Sequence, residues 1–303
     1  MNMKLSVVIS AYNEEMKIGK CLDSVSNIAD EIIVVDNSSQ DKTADIAKSH
    51  KARVFKRENL LMLNINKNFG FEKATGEWIL NLDADEEVTP ELAKEIRDIL
   101  DNPSGGGNIG YWISRKNIIF GKWIQHGLWW PDRQLRLFKR GHGKFVCKHI
   151  HEYVSVDGEI GELVHPYIHY NYDTIDQYLT KLERCTRSES IALKESQYQW
   201  SWFDAFRFPL SDFIKIYFAQ QGYKDGLHGI VLALFQAFYS FVVFAKLWEM
   251  EKFQQMELPL GSISHEMTKN GKELSYWMRT SQMKESNRIF EKIVLKIKRH
   301  ASL

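Results

Sequence analysis

The chain has 303 residues, 44% of them apolar and 26% charged, which predicts a globular protein with a sizeable core and excludes wholesale disorder, collagen-like repetition and a multi-span membrane protein. Forty Lys and Arg against 39 Asp and Glu leave a net charge of +1, which argues against a whole-protein affinity for nucleic acid. The charge is uneven, because residues 1–100 hold 13 basic and 18 acidic side chains while residues 101–303 hold 27 and 21. Three widely spaced cysteines, Cys21, Cys147 and Cys185, contain no CxxC and point to a reducing compartment without a disulfide framework. Met-Asn-Met-Lys leads straight into an apolar strand with no signal-peptide pattern, so the protein is expected to stay inside the cell.

Residues 5–10, Leu-Ser-Val-Val-Ile-Ser, are β-branched without a helical period and predict a buried parallel strand. A helix is expected next, capped by Asn13, with Glu14 and Glu15 in its first turn and Ile18, Leu22 and Val25 on its inner face. Residues 31–35 predict a second strand that ends in the polar turn Asp36-Asn37-Ser38-Ser39, after which Ser39 or Asp41 caps a helix reaching Lys48. A third strand at 52–55, a helical stretch at 66–74 broken by Gly76, and a fourth strand at 77–82 follow. The fourth strand runs into Asp83-Ala84-Asp85, and Thr89-Pro90-Glu91 then supplies an N-cap, an N1 proline and an acid for another helix. This β-α alternation predicts a doubly wound, mostly parallel sheet whose ligands bind beyond the carboxyl ends of the strands, where the polar clusters lie.

Pro103-Ser104-Gly105-Gly106-Gly107 reads as a linker, and the alternation stops after it. Residues 109–170 read as short strands and aromatic loops; eight of the nine Trp lie beyond residue 100, where a sugar or a lipid surface is expected. From Thr174 the pattern is helical. Residues 229–245 are apolar apart from Gln236 and Ser240, which suits a core helix, a helix lying in the bilayer or a full span. Residues 284–300 carry six Lys or Arg, with Ile289, Ile293 and Ile297 every four residues, a basic amphipathic pattern that suits an anionic leaflet or packing on the protein itself.

Neither GxGxxG nor a P-loop follows the first strand, so a nucleotide would be held by Tyr12 stacking on the base and by Asp36 accepting a uracil imide N–H. Asp83 and Asp85 alternate at a strand end, an arrangement that suits a hard divalent cation shared with substrate phosphates. Six histidines fall between 126 and 169, but they form no complete zinc quartet at familiar spacing, even with Cys147.

Val7-Val8-Ile9-Ser10-Ala11-Tyr12-Asn13-Glu14, then Val34-Val35-Asp36-Asn37-Ser38-Ser39-Gln40-Asp41-Lys42-Thr43, then Asn68-Phe69-Gly70 and Leu82-Asp83-Ala84-Asp85 resemble, in order and spacing, the GT-A glycosyltransferases of family 2 over residues 4–100. The resemblance implies a GT-A fold in which Ala11, Tyr12, Glu14 and Asp36 hold the nucleoside and Lys67 and Asn68 lie near the donor. It makes Asp83 and Asp85 the DxD-type acids at the ribose, the diphosphate and a Mg²⁺ or Mn²⁺ ion. The third strand lacks the usual donor-loop acid. Further on, Trp129-Trp130-Pro131-Asp132-Arg133-Gln134-Leu135-Arg136-Leu137-Phe138 and His149-Ile150-His151-Glu152 resemble the acceptor half of the subgroup that includes the lipopolysaccharide core glucosyltransferases of the WaaE type. A helical, membrane-associated C-terminal segment is usual in that subgroup. The likeness divides the chain into a nucleotide-sugar-binding half at 1–103, an acceptor-binding half at 104–172 and a helical membrane-associated region at 173–303.

An inverting displacement needs a carboxylate base for the acceptor hydroxyl and positive charge at the leaving diphosphate. Glu152 and Asp132 are the base candidates, Glu152 being preferred because His149 and His151 are placed to orient it. Arg133 and Arg136 offer paired N–H donors to the diphosphate, and Gln134 and Arg136 join the donor-binding set. The expected activity is transfer of a hexose, glucose foremost, from a UDP-sugar to a lipid-linked saccharide such as the lipopolysaccharide inner core. It is expected at the cytoplasmic face of the inner membrane, on a peripheral or monotopic protein, with no nucleic-acid partner. The alternatives are a nucleotidylyltransferase, which would normally carry a glycine- and basic-rich first loop, and a non-catalytic nucleotide- or glycan-binding membrane adaptor.

Overall fold

A computed structural model describes residues 4–101, 107–148 and 152–300. Most of the expected linker at 103–107, and both His149 and His151, lie outside the described residues. The first half runs β1 (Leu5–Ala11), α1 (Ile18–Val25), β2 (Glu31–Asp36), α2 (Thr43–Ser49), β3 (Arg53–Lys56), α3 (Asn64–Lys73), β4 (Trp78–Asp83), β5 (Glu86–Glu87) and α4 (Pro90–Asp101). Seven further strands follow: β6 (Gly110–Ile119), β7 (Lys122–Trp123), β8 (Asp132–Lys139), β9 (Gly143–Lys144), β10 (Ser155–Val156), β11 (Ile160–Glu162) and β12 (Tyr167–Tyr172). The expected doubly wound sheet is present. Its order is β3-β2-β1-β4-β8-β6-β12-β5, with β7 and β11 attached to β6, and β8 enters antiparallel to both β4 and β6.

Strand alternation sorts the core onto the two faces of the sheet. Leu5, Val7, Ile9 and Ala11 of β1 pack with Leu22 of α1 and with Leu92 and Ile96 of α4. On the other face Val8, Ile33, Val35 and Ile79 meet Phe71 of α3 together with Phe138 and Phe145. Gly70 lets α3 come this close, because a Cβ there would lie 2.5 Å from Val8 Cγ1.

The sheet and its helices form one compact unit, made of the residues up to Trp123 together with Trp130–Asp173. A second unit comprises Ile124–Trp129 and the chain from Thr174 onwards. It contains α5 (Ile175–Glu195), α6 (Asp204–Phe213), α7 (Leu227–Met250), α8 (Leu260–Glu285) and α9 (Ile289–His300). Thr174 and Gln177 form a reciprocal capping box that starts α5 where the sequence turns helical. Within this unit Tyr178 stacks on Phe235 at 4.5 Å, and Arg207 grips Glu266 through two bonds of 2.6 and 2.9 Å. The buried Asp225 carboxylate accepts the backbone N–H of His126 at 2.9 Å and so anchors the 124–129 segment. Among the described residues α7 is the one helix long and apolar enough to cross a membrane by length and composition.

Glu31 closes the amino-terminal edge of the sheet unit. Its carboxylate accepts from Ser6 Oγ at 2.6 Å, Thr75 N at 2.5 Å, Thr75 Oγ1 at 2.7 Å and Arg53 Nη1 at 2.7 Å. Burial alone would raise its pKa, but the hydrogen bonds from Ser6, Thr75 and Arg53 outweigh it and lower the pKa from 4.5 to about 2. Glu31→Gln is expected to cost about 3 kcal/mol at pH 7. Because the folded pKa lies below the unfolded one, the wild-type advantage is complete above pH 4.5 and fades as pH falls towards about 2. Urea titrations of both proteins at neutral and acid pH check this; a gap that does not close in acid contradicts it.

Candidate active site

The strand ends at Ala11, Asp36 and Asp83 come together through register, since Ala11 pairs with Asp36 and Ser10 with Asp83. The loops beyond β1 and β2 are zipped side by side. Asn13 N accepts no helical role but donates to Ser39 Oγ at 3.0 Å, while Asn13 Oδ1 accepts from Gln40 N at 2.8 Å. Glu14 N donates to Thr43 Oγ1 at 2.7 Å, and Glu15 N donates to Asp41 Oδ2 at 3.0 Å. These cross-loop bonds explain why α1 begins at Ile18, later than the sequence predicts: Asn13 sits at φ 55°, and the expected cap and first turn are spent on the neighbouring loop.

Behind the β1 and β2 ends lies a buried amide network that sequence reading missed. Asn37 Nδ2 donates to Ser10 Oγ at 2.9 Å, and Asn66 Nδ2 donates to Asn37 Oδ1 at 2.6 Å and Glu58 O at 2.8 Å. In front of it Ala11 and Asp36 are buried, Tyr12 is 37% exposed, and Asp36 Oδ1 accepts Ser39 N at 3.2 Å.

At the end of β4 a charge ladder crosses the sheet. Asp83 takes Lys67 Nζ on Oδ1 at 2.5 Å and Arg136 Nη2 on Oδ2 at 2.8 Å. Arg136, only 4% exposed, also reaches Glu86 Oε1 at 2.5 Å, and Glu86 Oε2 accepts the Asp83 backbone N–H at 2.8 Å. Arg115 continues the ladder to Asp132 at 2.6 Å. Burial works against the Asp83 carboxylate, yet Lys67 and Arg136 hold it well below the usual range. Burial pushes Glu86 up to about 7, with Arg136 pulling it back and Asp83 adding repulsion. Glu86, a solvated turn charge by its local sequence, is therefore a buried structural acid.

Asp85 lies on the other side of the motif, with Oδ2 at 3.3 Å from His169 Nε2. His169 Nδ1 is 2.6 Å from Asn117 Oδ1, and Asn117 Nδ2 donates to Asp132 Oδ2 at 3.0 Å. Because a carboxylate only accepts, this chain orients the Asn117 amide and puts a proton on His169 Nδ1, leaving Nε2 facing Asp85. A carboxylate oxygen and an imidazole nitrogen suit Mn²⁺, and Mg²⁺ less well. Among the described residues no group of three or more His, Cys, Asp or Glu forms a ready-made cation site. The remaining described histidines of the 126–169 set, His126, His142 and His165, pair with Asp225, Asp157 and Glu95.

Asp132 accepts from Arg115 Nε at 2.7 Å and Gln134 Nε2 at 2.8 Å besides Asn117, so Gln134 serves this acid. Arg133 is half exposed and pairs with Glu162. Glu152 accepts the backbone N–H groups of Cys147, at 2.7 Å, and Lys148. Asn68 makes paired 2.9 Å bonds to the Phe145 backbone, donating to its carbonyl and accepting its N–H.

Residues 6–154 match the Glycosyl transferase family 2 domain. Over 264 residues the chain is 30% identical to a glycosyltransferase of Rickettsia conorii, covering 82% of this chain and 93% of that one. The chain belongs to glycosyltransferase family 2. It is also 26% identical over 253 residues to LpsC of Rhizobium meliloti, a lipopolysaccharide core biosynthesis glycosyltransferase, covering 82% of this chain and 93% of that one. The crystal structure of S. aureus TarS residues 1–349 with UDP aligns over 84% of this chain and 93% of that one, at 16% identity and a TM-score of 0.45.

In this transferase the two arginines of the Asp132–Phe138 run have opposite environments, which local sequence does not distinguish. Arg136→Met leaves Asp83 and Glu86 buried without their shared cation and is expected to cost about 3–5 kcal/mol. Arg133→Met removes a surface pair and should cost about 0–1 kcal/mol. Urea denaturation at pH 7 measures both, and equal costs would contradict the ladder.

Proposed function

We propose that this family 2 transferase moves a hexose, glucose foremost, from a UDP-sugar to a lipid-linked saccharide of the lipopolysaccharide core type, with inversion and with the help of a divalent cation. The observation that carries the reading is Asp83-Ala84-Asp85 at the end of β4, directly beside the β1 and β2 ends that carry Tyr12 and Asp36. Tyr12 stacks on the base and Asp36 accepts the uracil imide N–H. Asp83, immobilised by Lys67 and Arg136, accepts from a ribose hydroxyl. Asp85 and His169 would hold the cation, which when bound would neutralise charge on the leaving diphosphate.

Glu152 takes the proton of the acceptor hydroxyl as its oxygen bonds to the anomeric carbon. The bond from that carbon to the diphosphate oxygen breaks, and the electron pair leaves on UDP. Glu152 is preferred over Asp132 because Asp132 is bound side-on by the permanently charged Arg115. The relation to LpsC supports the acceptor class. Membership of the family removes the nucleotidylyltransferase alternative, and turnover tests the adaptor.

Membrane attachment is the second part of the proposal. On α9 the side chains of Ile289, Phe290, Ile293 and Ile297 are exposed beside Lys292, Lys296, Lys298 and Arg299. On α7 Leu234, Phe238 and Phe241 are exposed. An amphipathic basic helix and a second apolar element together give stable attachment to an anionic leaflet, each cation adding about 1 kcal/mol. We place the protein at the cytoplasmic face of the inner membrane.

UDP release from UDP-glucose, with extracted lipopolysaccharide as acceptor, tests the chemistry. Glu152→Gln should retain UDP binding by calorimetry and lose turnover, and Asp85→Ala or EDTA should also abolish turnover. Activity that survives both treatments of the cation site rules out cation assistance, and loss in Asp132→Asn but not in Glu152→Gln moves the base. Deleting residues 284–303 should release the protein from anionic vesicles, more completely at high salt, while UDP binding persists. Full-length protein that fails to co-sediment with such vesicles at low salt refutes the attachment.

A further inference from the structure

Asn68 has a side-chain geometry that donor binding does not explain. Its amide donates to Phe145 O and accepts from Phe145 N, both at 2.9 Å, so it pairs with one backbone residue as a neighbouring strand would. Its Nδ2 also lies 3.5 Å from Cys147 Sγ. Phe145 precedes Val146, Cys147 and Lys148, of which Cys147 adopts φ 63°. The Glu152 carboxylate accepts the N–H groups of Cys147 and Lys148. The preceding residue of α3, Lys67, binds Asp83 at 2.5 Å and lies 5.6 Å over the Phe145 ring. Phe145 itself is 6% exposed and stacks on Phe71 of the same helix at 6.0 Å.

Two consecutive residues of α3 thus hold the two sides of the reaction centre, Lys67 the first acid of the motif and Asn68 the segment that orients Glu152. We infer that Asn68 is a positioning residue that sets the Glu152 carboxylate in register with Asp83. The inference rests on Glu152 being the base. Only an amide supplies both functions here, because Asp offers no donor to Phe145 O and Ala offers neither. A displacement of about 1 Å in a reacting group can cost 100-fold in rate.

The test compares full-length wild type, Asn68→Asp, Asn68→Ala and Glu152→Gln. In amide hydrogen exchange Asn68→Ala should lose at least tenfold protection at Phe145, whose N–H the carboxylate of Asn68→Asp can still accept, and both Asn68 variants should lose it at Cys147 and Lys148, with β1 and β4 unchanged. Glu152→Gln, which keeps one acceptor oxygen, should lose it at Cys147 or Lys148 and not at Phe145. With UDP-glucose and extracted lipopolysaccharide, the Asn68 variants should drop at least tenfold in kcat with donor KM within twofold. Unchanged protection at Cys147 and Lys148 overturns the inference, as does a raised donor KM with unchanged kcat, which makes Asn68 a donor contact. If one Asn68 variant fails to fold, the other carries the readouts at Cys147 and Lys148 and in kcat. Should Glu152→Gln keep full turnover, the base assignment fails, and exchange at Cys147 and Lys148 still decides whether Asn68 orders the segment.

Discussion

The charge ladder from Lys67 through Asp83, Arg136, Glu86 and Arg115 to Asp132 is the constraint on which the rest of the site depends. Three acids alternate with three basic side chains in a region largely withdrawn from water, and the Glu86 carboxyl, pushed up to about 7 by burial, sits between Arg136 and Arg115. Removing one rung leaves its neighbours uncompensated, a larger penalty than the loss of any single contact. The ladder also joins residues of α3, β4, β5, β6 and β8, so these elements cannot shift independently at this point.

The ladder gives the two aspartates of the motif different work. Both Asp83 oxygens face cations of the protein, which makes it a fixed acceptor. Asp85 instead faces an imidazole whose orientation is set by Asn117 and, behind it, by Asp132. Asp132 therefore has a part in orienting His169 as well as in anchoring Arg115. A side chain with both duties is poorly suited to leave its partners and carry a proton, which is the physical reason for preferring Glu152 in the proposed mechanism.

The loops show the same economy of backbone bonding. The cross-loop bonds between residues 13–15 and 39–43 satisfy the backbone N–H groups of Asn13, Glu14, Glu15 and Gln40. They shorten the helix and tie the two strand ends that flank the proposed nucleoside position. Asn37 and Asn66 brace them from behind, with Asn66 fully buried.

The alternation of apolar residues determined the strands and helices of the first hundred residues, because each element buries a face set by its own period. The placement of Asp83-Ala84-Asp85 at a strand end was legible for the same reason, as was the capping residue Thr89. Partners distant in sequence were not legible. Glu86 looks solvated until β4, β6 and β8 bring Arg115 and Arg136 against it, and Asn68 looks donor-facing until Phe145 arrives 77 residues later. Local pattern dictates which face of an element is buried, whereas the partner of a buried charge or amide is chosen by strand order and register, which exist only once the sheet has assembled.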